Sequence, residues 1–124
     1  MGYLYIFVGG ALGALIRYML SFLPFLPLWH GLPIGTFLAN MFGAFFMGFL
    51  STYSLRFLET HTYLKKGITT GCLGALTTFS TFQFEVFTFI SINAWFTGFL
   101  YLTLSSLLGI VCCILGLKLG DDVS

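Results

Sequence analysis

Apolar residues in this chain fall into four long runs, over residues 3–23, 34–55, 67–90 and 95–117. A helix needs roughly 20 apolar residues to cross the hydrocarbon core of a bilayer, so each run is long enough and the pattern predicts four transmembrane helices. Between the first two runs, Pro24, Pro27 and Pro33, with His30 and Gly31, form a connector that cannot continue a helix. Between the second and third lies a polar stretch with Arg56, Glu59, Thr60, His61, Thr62, Lys65 and Lys66. Ser91 and Asn93 predict a tight turn before the last run, and a short tail carries Lys118, Asp121 and Asp122. There is no low-complexity stretch and no internal repeat.

Composition turns this pattern into a class. Of 124 residues, 58% are hydrophobic and 7% charged, against about 25% charged in soluble domains, and the mean hydropathy is +1.00. The expectation is an all-α integral membrane protein, one domain over residues 1–124, with multiple passes through the cell membrane. The first run lacks a basic leading segment and a small-residue cleavage site, so it reads as a retained span. A net charge of +1 points to no nucleic-acid partner. Cys72, Cys112 and Cys113 lie inside apolar runs without Cys-x-x-Cys spacing and read as small buried hydrophobes. No nucleophile–base pair or ligand cluster suggests an enzyme.

An even number of spans puts both termini on one side with the 56–66 stretch. That side holds Arg56, Lys65, Lys66 and Lys118, and the other holds Arg17. The bias favours cytoplasmic termini.

Small and polar residues form stripes within the runs. Gly9, Gly13 and Arg17 recur every four residues on one helical face, which lets a second backbone approach closely. Arg17 then either anchors the helix or draws anions. The second run aligns Thr36, Asn40, Ala44 and Gly48, with Gly43 beside them; an amide in mid-span needs partners, and an interhelical hydrogen bond is the simplest. The fourth aligns Tyr101, Ser105, Gly109 and Cys112.

The third run is the unusual one. Gly67, Gly71 and Gly74 are followed by Thr77, Thr78, Phe79, Ser80, Thr81, Phe82 and, further on, Glu85. Glycine and β-branched residues are weak helix formers, so the helix is expected either to kink or to break near residues 74–78. A break in mid-membrane survives only where protein or a water-lined path satisfies the freed backbone, and its carbonyls can then coordinate a cation such as Na⁺. Phe79 and Phe82 are lipid-facing filler by default, but the positive edges of their rings, with amide and hydroxyl donors, can also replace the hydration of a small anion without a fixed charge. Glu85 reads as an interfacial carboxylate or a proton-linked group.

Three stretches, residues 10–18 (GALGALIRY), 35–43 (GTFLANMFG) and 71–85 with its TTFSTF run and closing glutamate, resemble the Fluc/CrcB family of fluoride channels in order and spacing. The resemblance covers essentially the whole chain. It implies a dual-topology antiparallel dimer of four-helix subunits, homomeric or formed with a paralogue, whose third helix is broken mid-membrane, with two pores and a central structural Na⁺. The backbone carbonyls of Gly74 and Thr77 would hold that ion. Asn40, Phe79, Phe82, Ser80, Thr81 and Tyr101 would line the fluoride pathway, and Arg17 would match the family's first-span arginine. The implied role is passive export of cytoplasmic fluoride. A four-span multidrug transporter is the alternative in shape, but such proteins use a carboxylate deep in the first span, where this chain has Arg17.

Overall fold

The structure, a computed structural model, describes residues 1–23, 31–53 and 56–123. The predicted connector residues Pro24, Pro27 and His30, and the end of the second run at 54–55, lie outside them. The elements in chain order are α1 (Gly2–Leu20), α2 (Ile34–Thr52), the short α3 (Arg56–Thr60) and α4 (Thr62–Lys66), a π-helical stretch (Gly67–Leu73), α5 (Gly74–Leu76), α6 (Phe79–Ser91) and α7 (Trp95–Val123). No β-strand occurs among the described residues. By length and hydropathy α1, α2 and α7 can each cross a membrane, with mean hydropathies of 1.5, 1.5 and 2.2.

Two glycine seams hold the bundle. The first joins α1 to the π-helical stretch. A side chain on Gly9 or Gly13 would strike the carbonyls of Gly67 and Cys72, and one on Gly71 would strike the Ile6 carbonyl. The wider π turn is closed by bonds five residues apart, as where Gly74 N–H donates to the Thr69 carbonyl. It brings Gly67 and the Gly71–Cys72 pair under the same face of α1. The second seam, the most extensive packing in the molecule, joins α2 to α7. There Gly48 lies on the Cys113 carbonyl, Gly116 on that of Phe45, and Gly120 against Thr52 and Phe49.

Little is buried within one chain. Ala39, Leu73 and Leu76 form one small cluster, and Phe82, Phe89, Ala94 and Tyr101 another. Phe7, Phe96 and Phe99 stand about 70% exposed (74%, 69% and 69%), as side chains facing lipid do.

The element ends differ from the predicted ones for local reasons. α1 stops at Leu20 in a turn whose Ser21 hydroxyl donates to the Tyr18 carbonyl at 2.6 Å. α7 runs on to Val123 because nothing in 118–123 breaks a helix and Gly120 keeps it against α2. The turn before α7 takes its shape from Asn93 at φ 60, a conformation asparagine tolerates. Asn93 N–H donates to the Ile90 carbonyl and Ala94 N–H to that of Phe89, the paired bonds of a Schellman cap.

Candidate functional site

The third apolar run leaves helical geometry at Thr77 and Thr78, both extended, with ψ of 147 and 123. A continuous helix would send the N–H of Thr78 to the Gly74 carbonyl and that of Thr81 to the Thr77 carbonyl. Both donors go elsewhere. Thr78 N–H donates to Asn40 Oδ1 at 2.8 Å, and Thr81 N–H donates to Thr78 Oγ1 at 3.3 Å. The carbonyls of Gly74 and Thr77 therefore lose the helical partners they would otherwise have.

Asn40 stabilises the interruption from α2. While its Oδ1 accepts from Thr78 N–H, its Nδ2 donates to the Thr78 carbonyl at 3.1 Å. A carboxamide is the side chain that can give and take at one peptide unit. Where the family resemblance implied Asn40 projecting into a pore, both ends of its amide are engaged here with backbone. Gly43, one turn on, leaves the space occupied by the Thr77 methyl. Thr78 restarts the helix as the N-cap of α6, a role suited to its hydroxyl.

Polar groups collect beside this turn. The Thr78 hydroxyl lies 3.1 Å from that of Thr81 and 3.4 Å from that of Ser80. Phe79 is exposed and Phe82 buried, with ring centroids 6.2 Å apart. Phe82 in turn lies 5.2 Å from the Tyr101 ring. Glu85 is half-buried and joins three helices: Thr36 of α2 donates to its Oε1 at 2.6 Å, and Tyr101 of α7 donates to its Oε2 at 2.8 Å. Arg17 lines a cavity of about 230 Å³ with Ser21, Thr36, Thr78 and Thr81. Thr81 and Glu85 open into a second cavity of about 570 Å³. All eleven candidate site residues (Arg17, Thr36, Asn40, Gly74, Thr77, Phe79, Ser80, Thr81, Phe82, Glu85 and Tyr101) thus lie in one region where α1, α2, α5, α6 and α7 meet, with Phe79 exposed at its edge.

Three contributors were not among those eleven. Thr78 shapes the interruption and Gly43 makes room for it. Ser105, one turn beyond Tyr101, has a buried hydroxyl with no hydrogen-bond partner among the described residues. The signal for Thr78 is weak: threonine is a favoured N-cap residue, but Thr81 stands where a capping box would place Glu or Gln.

Long helices with bare apolar outer faces, enclosing one polar seam, make the chain a multi-pass protein of the cell membrane. Residues 4–117 match the model of the family described as CrcB-like protein, Camphor Resistance (CrcB), and the chain belongs to that family. It is 53% identical over 126 residues to Fluoride-specific ion channel FluC 1 of Staphylococcus epidermidis, 49% over 124 residues to FluC 2 of Staphylococcus saprophyticus, and 51% over 124 residues to FluC 1 of Staphylococcus aureus. In each case both chains are covered end to end. The family is one of ion channels, not of enzymes.

Proposed function

We propose that this chain is a subunit of a fluoride-selective channel that lets cytoplasmic fluoride leave passively. The observation that carries the reading is the seam at Thr78–Phe82: hydroxyls of Thr78, Ser80 and Thr81 beside the Phe82 ring, with Arg17 on an adjoining cavity. Such a surface offers donors and positive ring edges in place of water while binding an anion weakly enough to release it. Near-half identity to relatives named as fluoride-specific channels supports the same ion. Hydrogen fluoride crosses membranes, dissociates in the less acidic cytoplasm and leaves the anion trapped; a selective pore returns it down its gradient. Glu85 does not favour the transporter alternative, because both its oxygens already accept from Thr36 and Tyr101. Liposomes containing the purified protein should release fluoride much faster than chloride. Equal rates for the two anions would end the reading.

In this proposal the third run completes a fourth span, interrupted mid-membrane, and two subunits pack in opposite orientations. The many apolar side chains left exposed support a dimer. The partner is an identical chain or an oppositely oriented paralogue. The residues fit a structural Na⁺ at its centre, since Gly74 and Thr77 carry carbonyls freed of their helical donors. Two such turns meeting at an axis would offer four oxygens to a hard monovalent cation, neutralising carbonyl dipoles where no water can. Fluoride release should fall when Na⁺ is exchanged for a much larger organic cation throughout purification and assay, and return when Na⁺ is restored. Full activity after exhaustive Na⁺ removal refutes this site.

A further inference from the structure

The end of the bundle where α1 begins and α4 sits plays no part in the proposed pathway, yet it holds two adjoining cavities. The outer one, about 490 Å³, is lined by Tyr5, Thr60, His61, Thr62, Tyr63 and Lys66 among others. The inner one, about 410 Å³, runs along α1 past Leu4, Val8 and Leu12, facing Ile68 and Cys72. Tyr5 and Leu64 line both. Tyr5 stacks on Tyr63, their rings 6.3 Å apart, and forms the neck between the two.

The two cavities differ in chemistry. The outer holds the Lys66 ammonium, hydroxyls and an imidazole, and among the described residues no carboxylate lines it. The inner is lined by hydrocarbon over two turns of α1, about 10 Å, with Gly9 and Gly67 at its floor. Leu4, Val8 and Leu12 are about half-exposed along it (59%, 49% and 54%). A cationic cup set over an apolar groove, at the level where tyrosines mark the bilayer interface, complements a molecule with an anionic head and a hydrocarbon tail. A second helix, about 10 Å across, leaves the cup's charge unanswered.

We infer that α1, α4 and the π-helical stretch form a binding site for an anionic phospholipid. The phosphate lies beside Lys66 and Thr62, and one acyl chain follows Leu4, Val8 and Leu12. The inference does not depend on which ion the protein conducts.

Native mass spectrometry of the full-length protein tests this. Detergent-purified protein is mixed with phosphatidylglycerol or with phosphatidylcholine of the same acyl chains. The anionic lipid should be retained about fivefold better, the gain one interfacial lysine provides. Lys66→Gln, an exposed position that leaves packing untouched, should abolish the preference, and Lys118→Gln should keep it. Val8→Trp, which fills the groove from a half-exposed position, should reduce retention of both lipids. Equal retention by the unmodified protein overturns the site, as does a preference that survives Lys66→Gln. Undiminished retention in Val8→Trp removes the acyl groove. Displacement by inorganic phosphate at equal concentration reduces the site to a simple anion cup and refutes the lipid.

Discussion

Asn40→Asp should cost the protein its fold before it costs any activity. The aspartate retains an acceptor for Thr78 N–H but has no donor for the Thr78 carbonyl, and it brings a carboxylate against that oxygen. The orphaned carbonyl sits in the interior of the bundle, where an unpartnered polar group costs about 1–3 kcal/mol, and repulsion and burial of a charge add to it. A loss of about 2–4 kcal/mol is a large share of the stability of a small bundle. The expected result is a low yield of monodisperse protein, with what survives unfolding at a clearly lower temperature by circular dichroism in detergent. If Asn40→Asp instead unfolds like the unmodified protein and only conducts poorly, the amide's main role is in the pathway and not at Thr78.

The second large effect lies in the α2–α7 seam. A Cβ on Gly48 would land on the Cys113 carbonyl, and one on Gly116 on the Phe45 carbonyl, with Phe49 N 2.8 Å away. These are backbone atoms, so neither helix can yield without moving away from the other. In a bilayer, where lipid tails are as apolar as leucine, such close packing is much of what keeps helices together. Gly48→Ala and Gly116→Ala should therefore each destabilise by about 1–3 kcal/mol. Gly109→Ala provides the internal comparison, because its nearest neighbour is the mobile Met41 Cε at 3.5 Å. Unfolding midpoints that are the same for Gly48→Ala and Gly109→Ala would mean the two helices do not meet at this seam.

How much of this was legible beforehand follows from the range of each interaction. The apolar runs of α1, α2 and α7 are properties of consecutive residues and could be read directly. The Gly9/Gly13 stripe indicated that some backbone would come close, but not that it would belong to a π-helical stretch. Bonds five residues apart leave no residue signature, and the need for that winding arises only once α1 lies alongside. For Asn40 the need for partners was plain, whereas the partner, Thr78, is 38 residues away. From its position in the sequence alone, Glu85 reads as an interfacial carboxylate or a proton-linked group. Its observed position, joining Thr36 on α2 to Tyr101 on α7, depends on how three helices assemble. Chain-local chemistry is visible in a sequence; pairings across the bundle are not.

The 29 residues of α7 extend about 44 Å at 1.5 Å per residue, while the 19 of α2 extend about 28 Å. A hydrocarbon layer of about 30 Å matches the shorter helix and not the longer. Because Gly48, Gly116 and Gly120 fasten α7 to the C-terminal half of α2, from Phe45 to Thr52, α7 cannot lean to shorten its projected height without carrying that half of α2 with it. Bilayer thickness thus acts on the pair as one lever, whose short arm is the helix that carries Asn40. A membrane thin enough to tilt the pair is therefore expected to strain the contact between that amide and the peptide unit of Thr78, the turn at the centre of the protein.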